Sequence, residues 1–161
     1  MRTAIVYYSL NGNTAMVAGQ LAASLSADLI RIVPERSYPE KGLRKFLWGG
    51  KSAVMAETPK LLPYEFNAGT FDQVVFGFPV WAGNVAPPIR TFVQENLESL
   101  QGKRVAAFAC QSGSGGERAF RKLLDCLGRT ELAASMILND PKDRPDAEND
   151  TAIEAFRSKL S

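Results

Sequence analysis

The 161-residue chain contains no histidine and only two cysteines, Cys110 and Cys126. Without imidazole there is no His-based nucleophile triad, no His proton shuttle and no His metal ligand. The two cysteines match no metal-binding spacing and read as small core residues, with no metal site implied. Charge of one sign is equally scarce: the formal net charge is +2, and no basic run interleaved with aromatics stands out, so nucleic acid is not an expected partner. No stretch approaches the roughly 20 apolar residues of a membrane span. The opening MRTAIVYYSL is apolar for too short a distance to be the core of a secretory signal, and the expected location is cytoplasmic, away from membranes. Two nucleotide motifs are also missing, the GxxxxGK[ST] of triphosphate-binding loops and the GxGxxG of dinucleotide folds. What remains is a hydrophobic content of 45%, ordinary for a globular protein, over a length that suits one domain spanning residues 1–161.

Short apolar runs alternate with longer helical ones, the rhythm of a parallel α/β sheet. Strands are expected at 3–8 (TAIVYY), 28–33 (DLIRIV), 73–78 (QVVFGF), 104–109 (RVAAFA) and 131–138 (ELAASMIL). All are short and largely apolar, as strands covered on both faces should be. Between them, Val17, Leu21 and Leu25 share one helical face; Phe120, Leu123, Leu124 and Leu127 share a second; Ile153, Phe156 and Leu160 share a third. Pro87 and Pro88 suit the first turn of a helix running to about 95, and Gly128 is placed to stop the preceding helix. Segment 34–71 is longer than an ordinary connection and is expected to hold a helix within 40–56.

In a doubly wound sheet ligands sit beyond the carboxyl ends of the strands, which singles out the loops after the first, third and fourth strands. They read SLNGNT (9–14), PVWAGN (79–84) and QSGSGG (111–116), and none carries a charge. Their hydroxyls, asparagines and glycines suit a ligand held by many neutral donors. The first delivers its backbone N–H groups to the start of a helix, where free amides and the helix dipole attract an anion such as a phosphate. An ordinary strand-to-helix turn with a polar cap would use the same residue types.

These loops resemble those of the flavodoxin-like FMN-binding proteins. Ser9, Asn11, Gly12 and Thr14 match the family's first-loop pattern [ST]-x-[TN]-G-x-T, while GFPVWAGNVAPP (77–88) and FACQSGSGGERAF (108–120) resemble its second and third flavin loops. GGKSAVMAETPKLLP (49–63) is similar to the segment before strand three in the bacterial flavodoxin-domain subgroup, and the uninterrupted last strand resembles the short-chain form. The resemblance implies a doubly wound three-layer αβα sandwich, its five-stranded parallel sheet in the order 2-1-3-4-5. It also implies FMN as cofactor. Ser9, Leu10, Asn11, Gly12, Asn13 and Thr14 would surround the phosphate. Pro79, Val80, Trp81, Ala82, Gly83 and Asn84 would line the isoalloxazine, with Trp81 at or near a ring face. Gln111, Ser112, Gly113, Ser114, Gly115 and Gly116 would meet the pyrimidine edge. Many flavodoxins place a second aromatic on the flavin from the third loop, and QSGSGG has none, so one ring face is expected to be open.

Three functions fit this reading: a carrier of electrons between redox partner proteins, an FMN-dependent NAD(P)H reductase acting on a small quinone-like acceptor, and a flavin-free binding module. The carrier is favoured by small size and the lack of a nicotinamide motif, and the reductase by the open face and the absence of marked acidity. Trp81 could alternatively be core, and Trp48 reads as packing or a lid. Arg36, Lys41, Arg44, Lys45 and Lys51, opposed in 35–51 only by Glu35 and Glu40, form either a solvated face or a docking patch for something anionic.

Overall fold

The computed structural model describes residues 1–38 and 57–161. Five strands form one sheet: β1 (Thr3–Tyr7), β2 (Asp28–Arg31), β3 (Gln73–Pro79), β4 (Arg104–Gln111) and β5 (Ser135–Asn139). All pairings are parallel and the order is β2-β1-β3-β4-β5, the expected doubly wound arrangement. Four helices are described, α1 (Asn13–Leu25), α2 (Pro87–Leu100), α3 (Gly116–Leu127) and α4 (Ala147–Leu160). The helix expected within 40–56 lies outside the described residues. In the rest of that segment, Pro34 bridges Leu61, and a single 3₁₀ turn spans Ala68–Thr70.

Alternation along the strands divides the core in two. Ala4, Val6, Phe76, Phe78 and Ala107 face α2 and α3, packing against Ile89, Phe92, Phe120 and Leu123. Ile5, Val75, Ala106 and Phe108 face α1 and α4, packing against Val17, Leu21, Phe156 and Leu160. Both faces are dry, so β1, β3 and β4 carry almost no polar residue; burial of each large side chain contributes roughly 1.5–3 kcal/mol. Gln73 is an exception at the amino end of the sheet. Fully buried, it donates to the Thr3 hydroxyl (3.0 Å) and the Leu160 carbonyl (3.1 Å) and accepts from Arg104 (2.6 Å), which leaves no polar atom uncompensated.

Several boundaries differ from expectation, β2 ending early at Arg31 and β4 running on to Gln111, and two differ by more. The fifth strand starts at Ser135, four residues late: Ala133 N–H already reaches the Val105 carbonyl (2.8 Å) and the Ala134 carbonyl accepts from Ala107 (3.1 Å), but the regular ladder with β4 begins only at Ser135; Glu131 and Ala133 are exposed while Leu132 and Ala134 turn inward. Helix α2 runs on to Leu100. Its last turns carry polar residues to solvent, so apolar density falls, yet Leu100 is fully buried and anchors the end. Gly128 does stop α3: its left-handed backbone (φ 65°) lets its own N–H reach the Asp125 carbonyl and that of Arg129 reach Leu124. Among the described residues, no helix is long and apolar enough to cross a membrane.

At Gly77, in the middle of β3, a Cβ would lie 2.2 Å from Cζ of Phe108 on the neighbouring strand. The phenyl ring fills the space that any side chain would need. Gly77→Ala is therefore expected to lower unfolding stability by about 1–3 kcal/mol through overpacking. A urea titration followed by circular dichroism measures it, and an unchanged midpoint would contradict this packing.

Candidate functional site

Tyr8 closes β1 by donating to the Gly77 carbonyl (3.0 Å), and residues 9–14 then turn across the carboxyl edge of the sheet into α1. Gly12 is the residue before the helix. Its φ of 98° is left-handed, which glycine adopts without strain, and having no side chain it cannot itself cap the helix. The Ser9 hydroxyl accepts from Ala15 N–H (3.1 Å), and Met16 N–H reaches the Gly12 carbonyl (3.0 Å). The N–H groups of residues 10–14 find no acceptor among the described residues. Five neighbouring donors on one turn, at the positive end of a helix, form a cradle for an anion. An ordinary capped turn would have spent several of them on its own side chains.

The second loop is a tight reversal. Trp81 and Asn84 exchange two backbone hydrogen bonds, and Ala82 (φ 50°) and Gly83 (φ 70°) form its left-handed corner. This tucks the indole inward. Trp81 is only 5% exposed, edge-on to Tyr8 (centroids 5.6 Å) and Tyr38 (5.3 Å), so the tip of the loop presents backbone and Ala82. Burial of this aromatic group raises both phenols above their ordinary range, Tyr38 to about 12 with help from the Glu57 carboxylate. Tyr38 was not singled out by the sequence, because nothing in segment 34–71 signals which residue folds back onto the sheet edge.

The third loop repeats the design of the first. Gly115 is left-handed (φ 103°) ahead of α3, again with no side chain of its own to cap it. The Gln111 side chain holds the turn by accepting from Gly116 N–H (2.9 Å) and donating to the Gly113 carbonyl (3.1 Å), leaving Ser112, Gly113 and Ser114 exposed.

The three loops meet. A Cβ on Gly115 would come within 3.0 Å of the Gly83 Cα, so the second and third loops touch backbone to backbone. Cys110, near the end of β4, takes the Val80 N–H on its carbonyl (2.9 Å), and its thiol lies beside Thr14, which is 1% exposed. A fourth loop, between β5 and α4, joins them. Lys142 donates from its backbone N–H to Asn13 Oδ1 (2.8 Å) and from Nζ to the Asn11 carbonyl (3.0 Å). Asn13 Nδ2 donates to Asp143 (2.9 Å), and Ser112 donates to Asp140 (2.8 Å). The loops chosen from sequence are neutral, but this one is charged, and its position beyond a strand's carboxyl end was the available signal. Among the described residues no cluster of carboxylates and thiols can hold a metal.

A family model described as Flavodoxin matches residues 2–151. The chain belongs to the flavodoxin family. Among solved structures it is similar to a candidate flavoprotein of Bacteroides eggerthii, at 26% identity and a TM-score of 0.77, over 99% of this chain and 95% of that one. A Lactobacillus acidophilus flavoprotein in complex with FMN shares the fold at 20% identity and TM-score 0.70, covering 88% of this chain and 96% of that one. The two-electron reduced flavodoxin of Megasphaera elsdenii shares it at 15% and 0.61, covering 99% of each. FMN is the cofactor that goes with this family, and the flavodoxin edge described here fits it: a turn of acceptor-free amides for a phosphate, and two glycine-bearing loops whose exposed backbone can meet a flat polar ring.

Within this flavodoxin edge, burial pushes the Cys110 thiol up to about 12, with the neighbouring Thr14 hydroxyl opposing the effect and Asp140 adding to it. A raised thiol is protonated, and hence unreactive, over the whole neutral range. Alkylation by iodoacetamide at pH 8 is expected to spare Cys110 in the native protein and to modify it rapidly once the chain is unfolded. Peptide mass spectrometry distinguishes the two states, and native labelling of Cys110 would show an open strand end.

Proposed function

We propose that this chain is an FMN-binding redox protein of flavodoxin type that carries electrons between partner proteins. The observation that supports it most directly is the turn of five backbone donors without acceptors at residues 10–14, in the position where the family pattern Ser9, Asn11, Gly12, Thr14 occurs. FMN, when bound, supplies reversible one- and two-electron chemistry that side chains lack. The protein's part is to bind and orient. Residues 10–14 donate N–H groups to the phosphate, with the hydroxyls of Ser9 and Thr14 beside them. The backbone of 79–84 receives the isoalloxazine, with the Trp81 indole as a floor beneath the loop. Ser112, Gly113, Ser114 and Gly115 offer N–H groups to the pyrimidine edge. A neutral cradle leaves the monophosphate its charge, and the dipole of α1 supplies compensation of about 0.3–1 kcal/mol.

Partner proteins would approach the edge formed by the second and third loops. Arg118 lies against that edge, since a Cβ on Gly83 would meet its Cδ at 2.7 Å. Arg121 and Lys122 follow it around a cleft of about 550 Å³ on α3, so an approaching partner meets positive charge. Of the basic segment 35–51, only Glu35, Arg36, Ser37 and Tyr38 fall within the described residues.

The reductase reading has one observation in its favour, the exposed third loop without an aromatic: a Cβ on Gly113 would touch nothing within 4 Å. Such a face can admit a nicotinamide or a quinone-like acceptor. Anaerobic mixing of FMN-loaded protein with NADH and NADPH, followed at the flavin absorbance band, separates the two. A carrier is expected to stay oxidised until a separate reductase is added, whereas bleaching on the time scale of turnover would move the assignment to an NAD(P)H-dependent enzyme.

Binding itself is testable by titration. The protein is expected to quench FMN fluorescence at micromolar concentrations; a chain that does not would be a flavin-free module. Thr14→Val should weaken FMN by about 1.5–3 kcal/mol if the hydroxyl donates to the charged phosphate, with little change for riboflavin. Quenching of tryptophan emission on FMN binding should survive Trp48→Phe and largely disappear in Trp81→Phe. The reverse pattern would place the flavin against segment 39–56.

A further inference from the structure

The candidate cradle is built from neutral groups, yet a cation is fastened to it from a loop distant in sequence. The Lys142 ammonium donates to the Asn11 carbonyl at 3.0 Å, and its chain lies over Gly12, where a Cβ would meet Nζ at 3.1 Å and Cδ at 3.4 Å. The placement is not left to a free side chain. The Lys142 backbone N–H is held by Asn13 Oδ1 at 2.8 Å, Asn13 is only 4% exposed, and its amide is tied in turn to Asp143 at 2.9 Å. This latch keeps the root of the lysine within reach of residues 11–13.

We propose that Lys142 is the residue by which this site senses the phosphate of its ligand, selecting FMN over the unphosphorylated riboflavin. The inference rests on residues 10–14 being the phosphate cradle. Backbone amides alone offer partial charges, whereas an ammonium adds a full one, and charge-assisted hydrogen bonds are roughly twice as strong as neutral ones. A lysine suits the role because its ammonium is a compact charge on a flexible stem with three donors, able to keep the Asn11 carbonyl while turning another N–H to an anion.

Neither neighbouring carboxylate forms an ion pair with it among the described residues. Asp143 reaches only the Asn13 side chain, and Asp140 is occupied by the Ser112 hydroxyl at 2.8 Å and faces Arg144 at 3.9 Å. Lys142 itself makes no ion pair among the described residues. Of the cations there, it alone hydrogen-bonds the first loop. Riboflavin carries no phosphate and gains nothing from the ammonium, so the ratio of the two affinities isolates the contribution.

The test is a titration of the full chain with FMN and with riboflavin, at low and high salt. Lys142→Met keeps the length of the side chain and removes the charge; the side chain is exposed, and thermal melting confirms that the variant folds. FMN affinity is expected to fall about ten- to a hundredfold, riboflavin affinity to change by less than about threefold, and Lys142→Arg to restore most of the preference. The salt dependence of FMN binding should also become shallower in Lys142→Met, as one attraction open to screening is lost. If the parent chain binds FMN no more tightly than riboflavin, the phosphate-cradle reading fails. If the parent prefers FMN and Lys142→Met retains both that preference and its salt dependence, the cradle stands and the role of Lys142 is overturned.

Discussion

The parallel pairing of β1 with β3 and of β3 with β4 is the constraint on which the rest of the molecule depends. Because the three strands run the same way in the centre of one sheet, their carboxyl ends finish side by side, and each must leave the edge upward into a helix. The core is what makes that pairing firm. Val75 and Val74 send side chains to opposite faces, each into a dry layer, and a one-residue slip would drive Phe76 and Phe78 through the wrong side. At Gly77 the strands leave space for the Phe108 ring and for nothing else. The precision needed to bring three loops within contact of one another comes from this interior and not from the loops.

A cost accompanies the arrangement. Helices that begin at a sheet edge expose amide groups with no acceptor of their own, and buried or half-buried donors left unpaired are expensive. Both α1 and α3 are entered through a left-handed glycine, Gly12 and Gly115, so the residue at the cap position has no side chain to offer; Ser9 and Gln111 each satisfy one first-turn amide from farther back. The usual stabilising residue is absent where a ligand would need the donors. Capping by Ser, Thr, Asn or Asp is worth roughly 1 kcal/mol, and forgoing it twice on one edge fits donors reserved for a bound anion and a polar ring.

Charge is distributed unevenly around that edge. The three loops nearest the sheet centre are neutral, while the loop after β5 contributes Asp140, Lys142, Asp143 and Arg144, and α3 turns Arg118, Arg121 and Lys122 outward. Neutral groups close to the ligand avoid the desolvation cost of buried ions. Charges a little farther out remain hydrated and still act on an anion or on an approaching protein surface, with a strength that salt can tune.

The sequence by itself determined the architecture and the identity of the central loops. Alternation of strand-length and helix-length apolar runs gave the parallel α/β class, resemblance to the flavodoxin loops gave the strand order, and the polar, glycine-bearing stretch between TAIVYY and an alanine-rich helix marked a turn, since glycine and small polar residues leave local signatures there. The start of β5 was harder to read, because Glu131 to Ala134 run without a break signal into the apolar strand, and Ala133 and Ala134 already bond to β4 before the regular ladder begins. Only the tertiary structure decided that Trp81 points inward against Tyr8 and Tyr38, that Cys110 meets Thr14, and that Lys142 and Asp143 reach across to Asn11 and Asn13. These contacts join residues far apart along the chain. Local propensity says nothing about them, because they exist only where closure of the parallel sheet brings separate strand ends to the same edge.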